Sequence, residues 1–127
     1  MKLLLDTSVL IDILRSRHQR REWLAQIVRG GHTLSTTTLN IAELYAGMRP
    51  SEEAETEALL AGLEPHELDG MDARLAGRLK SKWARKGRTL ALDDAIVAAI
   101  TIGRACALVT DNRKDFPMPE VQLYPLP

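Results

Sequence analysis

The chain has 127 residues, 45% of them hydrophobic, which is enough for one globular domain with a real core. Seventeen basic and seventeen acidic residues cancel, so net charge points to no polyanionic partner, and the single cysteine, Cys106, excludes an internal disulfide framework. Asp6 interrupts the first apolar run after three leucines, and the longest run, 95–100, is too short for a bilayer. We therefore expect a cytoplasmic protein without a signal peptide or a membrane segment.

Apolar runs that fit strands alternate with segments of helical periodicity along the whole chain. The predicted strands cover 2–5, 32–35, 65–68, 107–110 and 121–124, and the predicted helices cover 7–14, 20–28, 39–47, 52–63, 70–87 and 95–102. This alternation predicts a three-layer α/β/α sandwich around a central, mostly parallel sheet of about four to five strands. No linker or repeat divides residues 1–127, so we expect a single domain.

The first strand ends in an aspartate. Residues 2–5 form an apolar run without polar alternation, which is typical of a strand buried on both faces of a parallel sheet. Ligands gather beyond the carboxyl ends of such strands, where Asp6 stands. The alternative is that Asp6, Thr7 or Ser8 only caps the following helix.

Two further carboxylates stand among apolar neighbours. Glu43 shares a helix face with Leu39, Ala42 and Ala46, and a helix that is apolar nearly all round is expected to be buried. The alternative for Glu43 is a structural pair with an arginine. Asp94 precedes an apolar helix for which Asp93 is the predicted N-cap; the alternative for Asp94 is a second acid favoured by the helix dipole.

A polar loop follows the fourth strand as Asp6 follows the first. In residues 110–115, Asn112 and Asp115 are plausible oxygen donors, whereas Asp111 is expected to be solvated. First and fourth strands are often neighbours in doubly wound sheets, so all these groups could converge on one pocket. The donors are all oxygen atoms, and the three histidines and Cys106 show no metal-ligand spacing, so Mg²⁺ or Mn²⁺ is favoured over zinc.

Four segments resemble, in order, the PIN-domain family, and more narrowly the VapC-type toxins of bacterial toxin–antitoxin pairs. They are residues 3–11, 40–47, 94–99 and 108–112 with Asp115-Phe116. The resemblance implies a Mg²⁺- or Mn²⁺-dependent endoribonuclease, usually a homodimer, that is inhibited by a cognate antitoxin. A toxin–antitoxin hetero-oligomer is equally compatible with it.

The resemblance also implies roles for individual residues. Asp6, Glu43 and Asp94 match the three acidic metal-site residues, with Thr7 and Thr110 in support. Many members have an aspartate two residues after the threonine, where this chain has Asn112. Either Asn112 or Asp115 is therefore expected to fill the fourth position, with Asp115 as the fourth catalytic acid.

An acid cluster repels RNA phosphate, so basic residues are expected to hold the substrate. The candidates are Arg15, Arg17, Arg20 and Arg21, together with the basic helix 74–88, which includes Arg85 and Arg88. The alternative for each is a solvated helix face. Two other functions stay open: a non-catalytic or decayed PIN-like binding module, and a phosphatase that uses Asp6 as its nucleophile. The phosphatase hypothesis is weaker, because haloacid-dehalogenase-like phosphatases have a second acid two residues after the nucleophilic aspartate, and this chain has Ser8 at that position.

Overall fold

Five parallel strands form one sheet in a computed structural model that describes residues Met1–Pro127. The strands are β1 (Lys2–Leu5), β2 (Thr33–Thr37), β3 (Glu64–His66), β4 (Ala107–Val109) and β5 (Gln122–Leu123). The helices are α1 (Thr7–Leu14), α2 (Arg20–Arg29), α3 (Thr38–Gly47), α4 (Glu53–Leu60), α5 (Gly70–Arg85) and α6 (Leu92–Gly103). Short 3₁₀ turns cover Pro50–Glu52 and Arg113–Asp115.

The strand order is β3-β2-β1-β4-β5, so the first strand is the central one. Leu3 pairs with Ala107 and Leu5 with Val109, while Leu4 pairs with Ser35 on the other side. The chain reverses its direction of travel across the sheet between β1 and β4. The residues that follow these two strands therefore lie together at one edge, at the topological switch point.

The side chains of β1 enter two separate cores, one on each face of the sheet. Leu3 and Leu5 pack with residues of α1 and α2, whereas Leu4 packs with residues of α5 and α6. All three leucines are fully buried. This confirms the predicted strand with two buried faces and the predicted three-layer α/β/α sandwich.

Helices α5 and α6 pack antiparallel in the second layer. Asp69 and Asp72 form a capping box at the start of α5, as the position of Asp69 predicts. Arg104, directly after α6, donates to both carboxylate oxygens of Asp72 at 3.1 and 3.0 Å. At the other end, the Lys80 ammonium donates to the carbonyl of Leu90, just before α6. The end of α5 therefore lies beside the beginning of α6.

Several predicted boundaries are wrong by a few residues. Strand β2 runs to Thr37 because the hydroxyls of Ser35 and Thr36 donate to the β1 carbonyls of Leu3 (2.9 Å) and Leu5 (2.8 Å). The predicted helix 52–63 is a 3₁₀ turn followed by α4, and it ends early because Leu63 turns inward and is buried. None of the helices combines the length and the apolarity that a membrane span requires.

Candidate active site

An acidic cleft of about 260 Å³ opens at the carboxyl ends of β1 and β4, where the first turns of α1 and α6 meet α3. Its lining consists of Asp6, Thr7, Ser8, Glu43, Ala91, Asp93, Asp94, Val97, Asn112 and Asp115. Five of these residues are carboxylic acids and none is basic. The predicted convergence of Asp6, Glu43, Asp94 and the loop after β4 is thus observed.

Asp6 occupies the N-cap position of α1, but its side chain makes no capping hydrogen bond. Its carboxylate accepts instead from the Asn40 amide at 3.1 Å and from the Thr110 hydroxyl at 2.7 Å. The main-chain carbonyl of Asp6 accepts from the amides of Val9 and Leu10, which begins the helix. Burial raises the pKa of Asp6, although both side-chain hydrogen bonds act to lower it. The main chain at Asp6 thus begins the helix, and the carboxylate is not used as a cap and lines the cleft.

Asn40 is a central residue of the site that sequence reasoning did not assign a role. Its side chain is fully buried, and its amide donates to the Thr7 hydroxyl at 2.8 Å as well as to Asp6. Its carbonyl oxygen accepts from the Thr37 hydroxyl at 2.6 Å, and the two residues form the capping box of α3. The Thr-x-x-Asn spacing was the available signal, and it indicates the cap alone.

Glu43 lies half-buried at the edge of the cleft and makes no salt bridge with an arginine. Its Oε1 accepts from the Thr7 hydroxyl at 2.8 Å, which extends the chain of hydrogen bonds from Asn40. Burial raises the pKa of Glu43, with further contributions from the charges of Asp93 and Asp6. The expected burial of α3 all round is wrong, because only Asn40 and Leu44 of this helix are buried.

The predicted N-cap at Asp93 is wrong. Helix α6 begins at Leu92, and Ala91, in an extended conformation, is its N-cap residue. Asp93 therefore lies inside the helix, and its carboxylate accepts from the Asp94 amide at 3.0 Å. Both acids lie in the first turn, where the helix dipole favours negative charge, and both line the cleft. Burial raises the pKa of Asp94 to about 7, reinforced by the charges of Asp93, Asp115, Asp6 and Glu43.

The loop after β4 presents one residue to Asp6 and two to the cleft. Thr110 is buried between Asp6 and the backbone amide of Asn112, which donates to its hydroxyl at 3.0 Å. Asn112 and Asp115 both line the cleft, so each candidate for the fourth position is present. Asp111 is exposed as expected, and its carboxylate also pairs with the buried Arg20 at 2.7 Å.

The donor set of the acidic cleft fits a hard divalent cation. All of its side-chain donor atoms are oxygens, and neighbouring negative charges add to the effect of burial in raising the pKa values of Asp6, Glu43 and Asp94, because no basic side chain stands among them. No three carboxylate, imidazole or thiol groups converge closely enough to enclose a metal ion by themselves. Mg²⁺ is usually held by only one or two carboxylates, with water and substrate phosphate completing its shell. The arrangement suits this mode of binding.

The predicted RNA-contact residues lie in different surroundings. Arg15 faces Glu52 at 3.9 Å beside the cleft, and Arg17 is exposed in the turn after α1. Arg85 is exposed near the end of α5, and Arg88 donates to the carbonyl of Lys114, next to the cleft-lining Asp115. Arg20 is 4% exposed and paired, so it is not available to a substrate.

Comparison with known proteins places this geometry in a family. The PIN domain profile matches residues 3–119. Ribonuclease VapC19 of Mycobacterium tuberculosis is 32% identical over 120 residues, which cover 94% of this chain and 96% of that protein. Two solved complexes share the fold: VapBC2 of Rickettsia felis bound to a promoter DNA fragment (TM-score 0.86, 21% identity, 98% of both chains) and DNA-bound VapBC of Salmonella typhimurium (TM-score 0.84, 22% identity, 98% and 97%). The chain belongs to the PIN domain family.

Proposed function

We propose that this protein is a Mg²⁺- or Mn²⁺-dependent endoribonuclease, the toxin of a type II toxin–antitoxin pair. The observation that carries the proposal is the acidic cleft, in which five carboxylic acids meet without a basic side chain. The similarity to ribonuclease VapC19 supports RNA as the substrate. We also propose that residues 1–127 act as one nuclease domain.

Asp6 and Asp94 would be the principal metal ligands, and Glu43 a ligand directly or through water. When bound, the metal would lower the pKa of a coordinated water and neutralise charge on the phosphate. Asn40 and Thr110 hold the Asp6 carboxylate in one orientation, and Thr7 does the same for Glu43. Such supporting hydrogen bonds set how well a ligand is oriented.

Asp115 and Asn112 line the cleft from the loop after β4, whereas Glu43 belongs to α3, which follows β2 on the other side of β1 in the sheet. We propose that one of them orients the attacking water. Because Asp115 adds its negative charge to those that raise the pKa of Asp94, it also strengthens the demand for a cation. Asn112 can orient a water without adding charge.

The test of the proposal is cleavage of total cellular RNA with Mg²⁺ or Mn²⁺, followed by mapping of the new ends. Asp6→Asn and Asp94→Asn should each slow cleavage by more than about 100-fold, since even the loss of a supporting residue costs 10- to 100-fold in metal sites. Glu120→Gln, an exposed carboxylate remote from the cleft, is the matched control. Cleavage by Asp6→Asn at the wild-type rate would contradict the assignment.

A non-catalytic PIN module is the competing function, and two measurements separate it from a nuclease. Calorimetric titration should show Mn²⁺ binding that Asp6→Asn weakens, and expression of the wild-type chain should arrest growth. Absence of both effects would favour the binding module.

We further propose that a cognate antitoxin binds this chain and that the toxin assembles as a homodimer or as a hetero-oligomer with that antitoxin. Solved relatives are described as VapBC complexes. A groove of about 290 Å³ borders the cleft at Glu43, and its apolar part consists of Ile11, Leu14, Leu44 and Met48. A partner segment in this groove would reach the acidic cleft. Light scattering of the chain, alone and co-expressed with the product of an adjacent small reading frame, tests both statements.

A further inference from the structure

Four basic residues form an exposed ridge on α5. The α5 cationic ridge consists of Arg74, Arg78, Lys82 and Arg85. Spacings of four, four and three residues place them on one helix face, opposite the buried Ala76 and Leu79. With Gly77 and Ser81 they line a shallow depression of about 550 Å³ that contains no hydrophobic residue.

None of the ridge residues takes part in a salt bridge. Arg74 donates to the carbonyl of Gly70 at 3.1 Å, and Arg85 contacts the Ser81 hydroxyl at 3.4 Å. Residues 74–88 contain seven basic residues and no acidic one, although the whole chain is neutral. Like charges four residues apart destabilise a helix, and the one acid of α5, Asp72, pairs with Arg104 instead of the ridge. The ridge is therefore an uncompensated cationic surface.

The ridge leads to the acidic cleft. Because α5 runs antiparallel to α6, the Arg85 end lies beside the first turn of α6, which carries Asp93 and Asp94. Beyond α5, Arg88 donates to the carbonyl of Lys114, which precedes the cleft-lining Asp115. Basic groups thus continue from the outer surface of α5 to the rim of the cleft.

We propose that the α5 cationic ridge binds the sugar–phosphate backbone of a single RNA strand and directs it into the acidic cleft. This inference deepens the proposed function, since it concerns how the substrate is held. The lining of the cleft contains no basic side chain, so the basic groups of the protein that can attract a polyanion lie outside it. Residues four apart on a helix are about 6 Å apart along its axis, a spacing at which successive phosphates of an extended strand can each meet one cation. Contacts of this kind position a strand without reading its sequence.

The test is equilibrium binding of a fluorescein-labelled single-stranded RNA to the full chain, measured by anisotropy in EDTA at several KCl concentrations. Arg78→Glu/Lys82→Glu should weaken binding at least about tenfold and make the salt dependence shallower by about 1.4 in log–log slope, because two phosphate contacts are lost. Lys2→Glu/Arg29→Glu makes the same charge change at exposed positions away from the ridge and the cleft, and it should bind almost as wild type.

The neutral pair Arg78→Gln/Lys82→Gln guards against a folding defect, and thermal melting checks both variants. The neutral variant should weaken RNA binding by less than the charge-reversed variant does, and its melting temperature should equal that of the wild type. Wild-type affinity and salt slope in the charge-reversed variant would overturn the proposal. Equal competition by poly-glutamate at the same charge concentration would also overturn it, in favour of an acidic protein partner. Failure of the wild-type chain to cut any RNA with Mn²⁺, despite ridge-dependent binding, would refute the nuclease and leave the ridge assignment standing.

Discussion

The Asn40 side chain connects more elements of the site by hydrogen bonds than the side chain of any of its acids does. One fully buried amide joins three elements, since it bonds Asp6 after β1, Thr7 in α1 and Thr37 at the end of β2. Its donors and acceptor are all used. Removing it would leave several buried polar groups without partners, and this is costlier than the loss of an exposed hydrogen bond.

We therefore expect Asn40→Ala to lower the free energy of unfolding by about 2–3 kcal/mol. RNA cleavage should fall about 10- to 100-fold, because Asp6 and Thr7 lose their orientation. Urea unfolding and a cleavage assay measure the two effects, with the exposed Thr38→Ala as the control on the same helix turn. A loss of only about 1 kcal/mol together with full activity would show that Asn40 only caps α3.

Asp94 makes the metal-free protein sensitive to pH. Its pKa is about 7 in the folded chain against an ordinary 3.8, so between these values the folded state binds more protons than the unfolded state. The stability contribution of Asp94 is therefore lost as pH rises from 3.8 to about 7, and it stays lost above that.

In EDTA, Asp94→Asn should thus melt at a higher temperature than the wild type, by a margin that is small at pH 4 and largest above pH 7. Calorimetric melting curves across this range, with Glu120→Gln as the control, test the prediction. A margin that is the same at every pH would contradict it.

Helix α2 is joined to the loop after β4 by an unequal ion pair. The Arg20 side chain is 5% exposed and that of Asp111 is 33% exposed, and the Arg20 Nε–H has no partner in the protein. The loop that contains Thr110 and Asn112 is thereby joined to α2.

Because Arg20 is buried and Asp111 is partly exposed, removing one or the other should lower the free energy of unfolding by different amounts. Asp111→Ala leaves a buried guanidinium unpaired and should cost about 2–3 kcal/mol of stability, below the usual range for a fully buried pair because Asp111 is partly hydrated. Arg20→Met keeps the apolar packing and leaves a carboxylate that water can reach, so it should cost less. Adding Asp111→Ala to Arg20→Met should then cost almost nothing. Equal and additive losses in urea unfolding would contradict the inequality.

The elements were largely predictable because each follows from a local pattern. Leu3 to Leu5 are apolar without alternation, and Asp69 precedes a helix with an acid three residues on, so the buried strand and the α5 cap are both found correctly. Asp93 was misassigned because two adjacent acids and Ala91 all permit a helix start, and composition does not choose among them. Asn40 and Arg20 were missed or misjudged because their partners are distant in the chain. Long-range pairing leaves no local trace.

The whole molecule separates its charges. Residues 52–72 carry eight acids and no Lys or Arg, and residues 74–88 carry only bases, so the zero net charge hides two opposed segments. The acidic cleft lies apart from both in sequence. A divalent ion bound in the cleft would relieve the repulsion among its carboxylates. Because the ion would bind the folded state and not the unfolded one, it would also raise the free energy of unfolding of the whole chain.

At about a hundredfold excess over its Kd, Mn²⁺ should stabilise the wild-type chain by about 2.7 kcal/mol, or about 10 °C in Tm. Asp6→Asn should lose most of this shift, and Glu120→Gln should keep it. Thermal melting with and without MnCl₂ measures the difference. A shift that is equal in the three proteins would indicate binding away from the cleft.

The central position of β1 in the sheet also bears on protein synthesis. β1 leaves the ribosome before its neighbour β4 and before the Thr110 that orients Asp6, which follow about a hundred residues later. A nascent chain shorter than this lacks one side of its central strand and the loop that completes the cleft. The cleft is complete only once residues 107–116 have been synthesised and have packed beside β1. A partner protein can therefore meet the nascent chain before the cleft has formed.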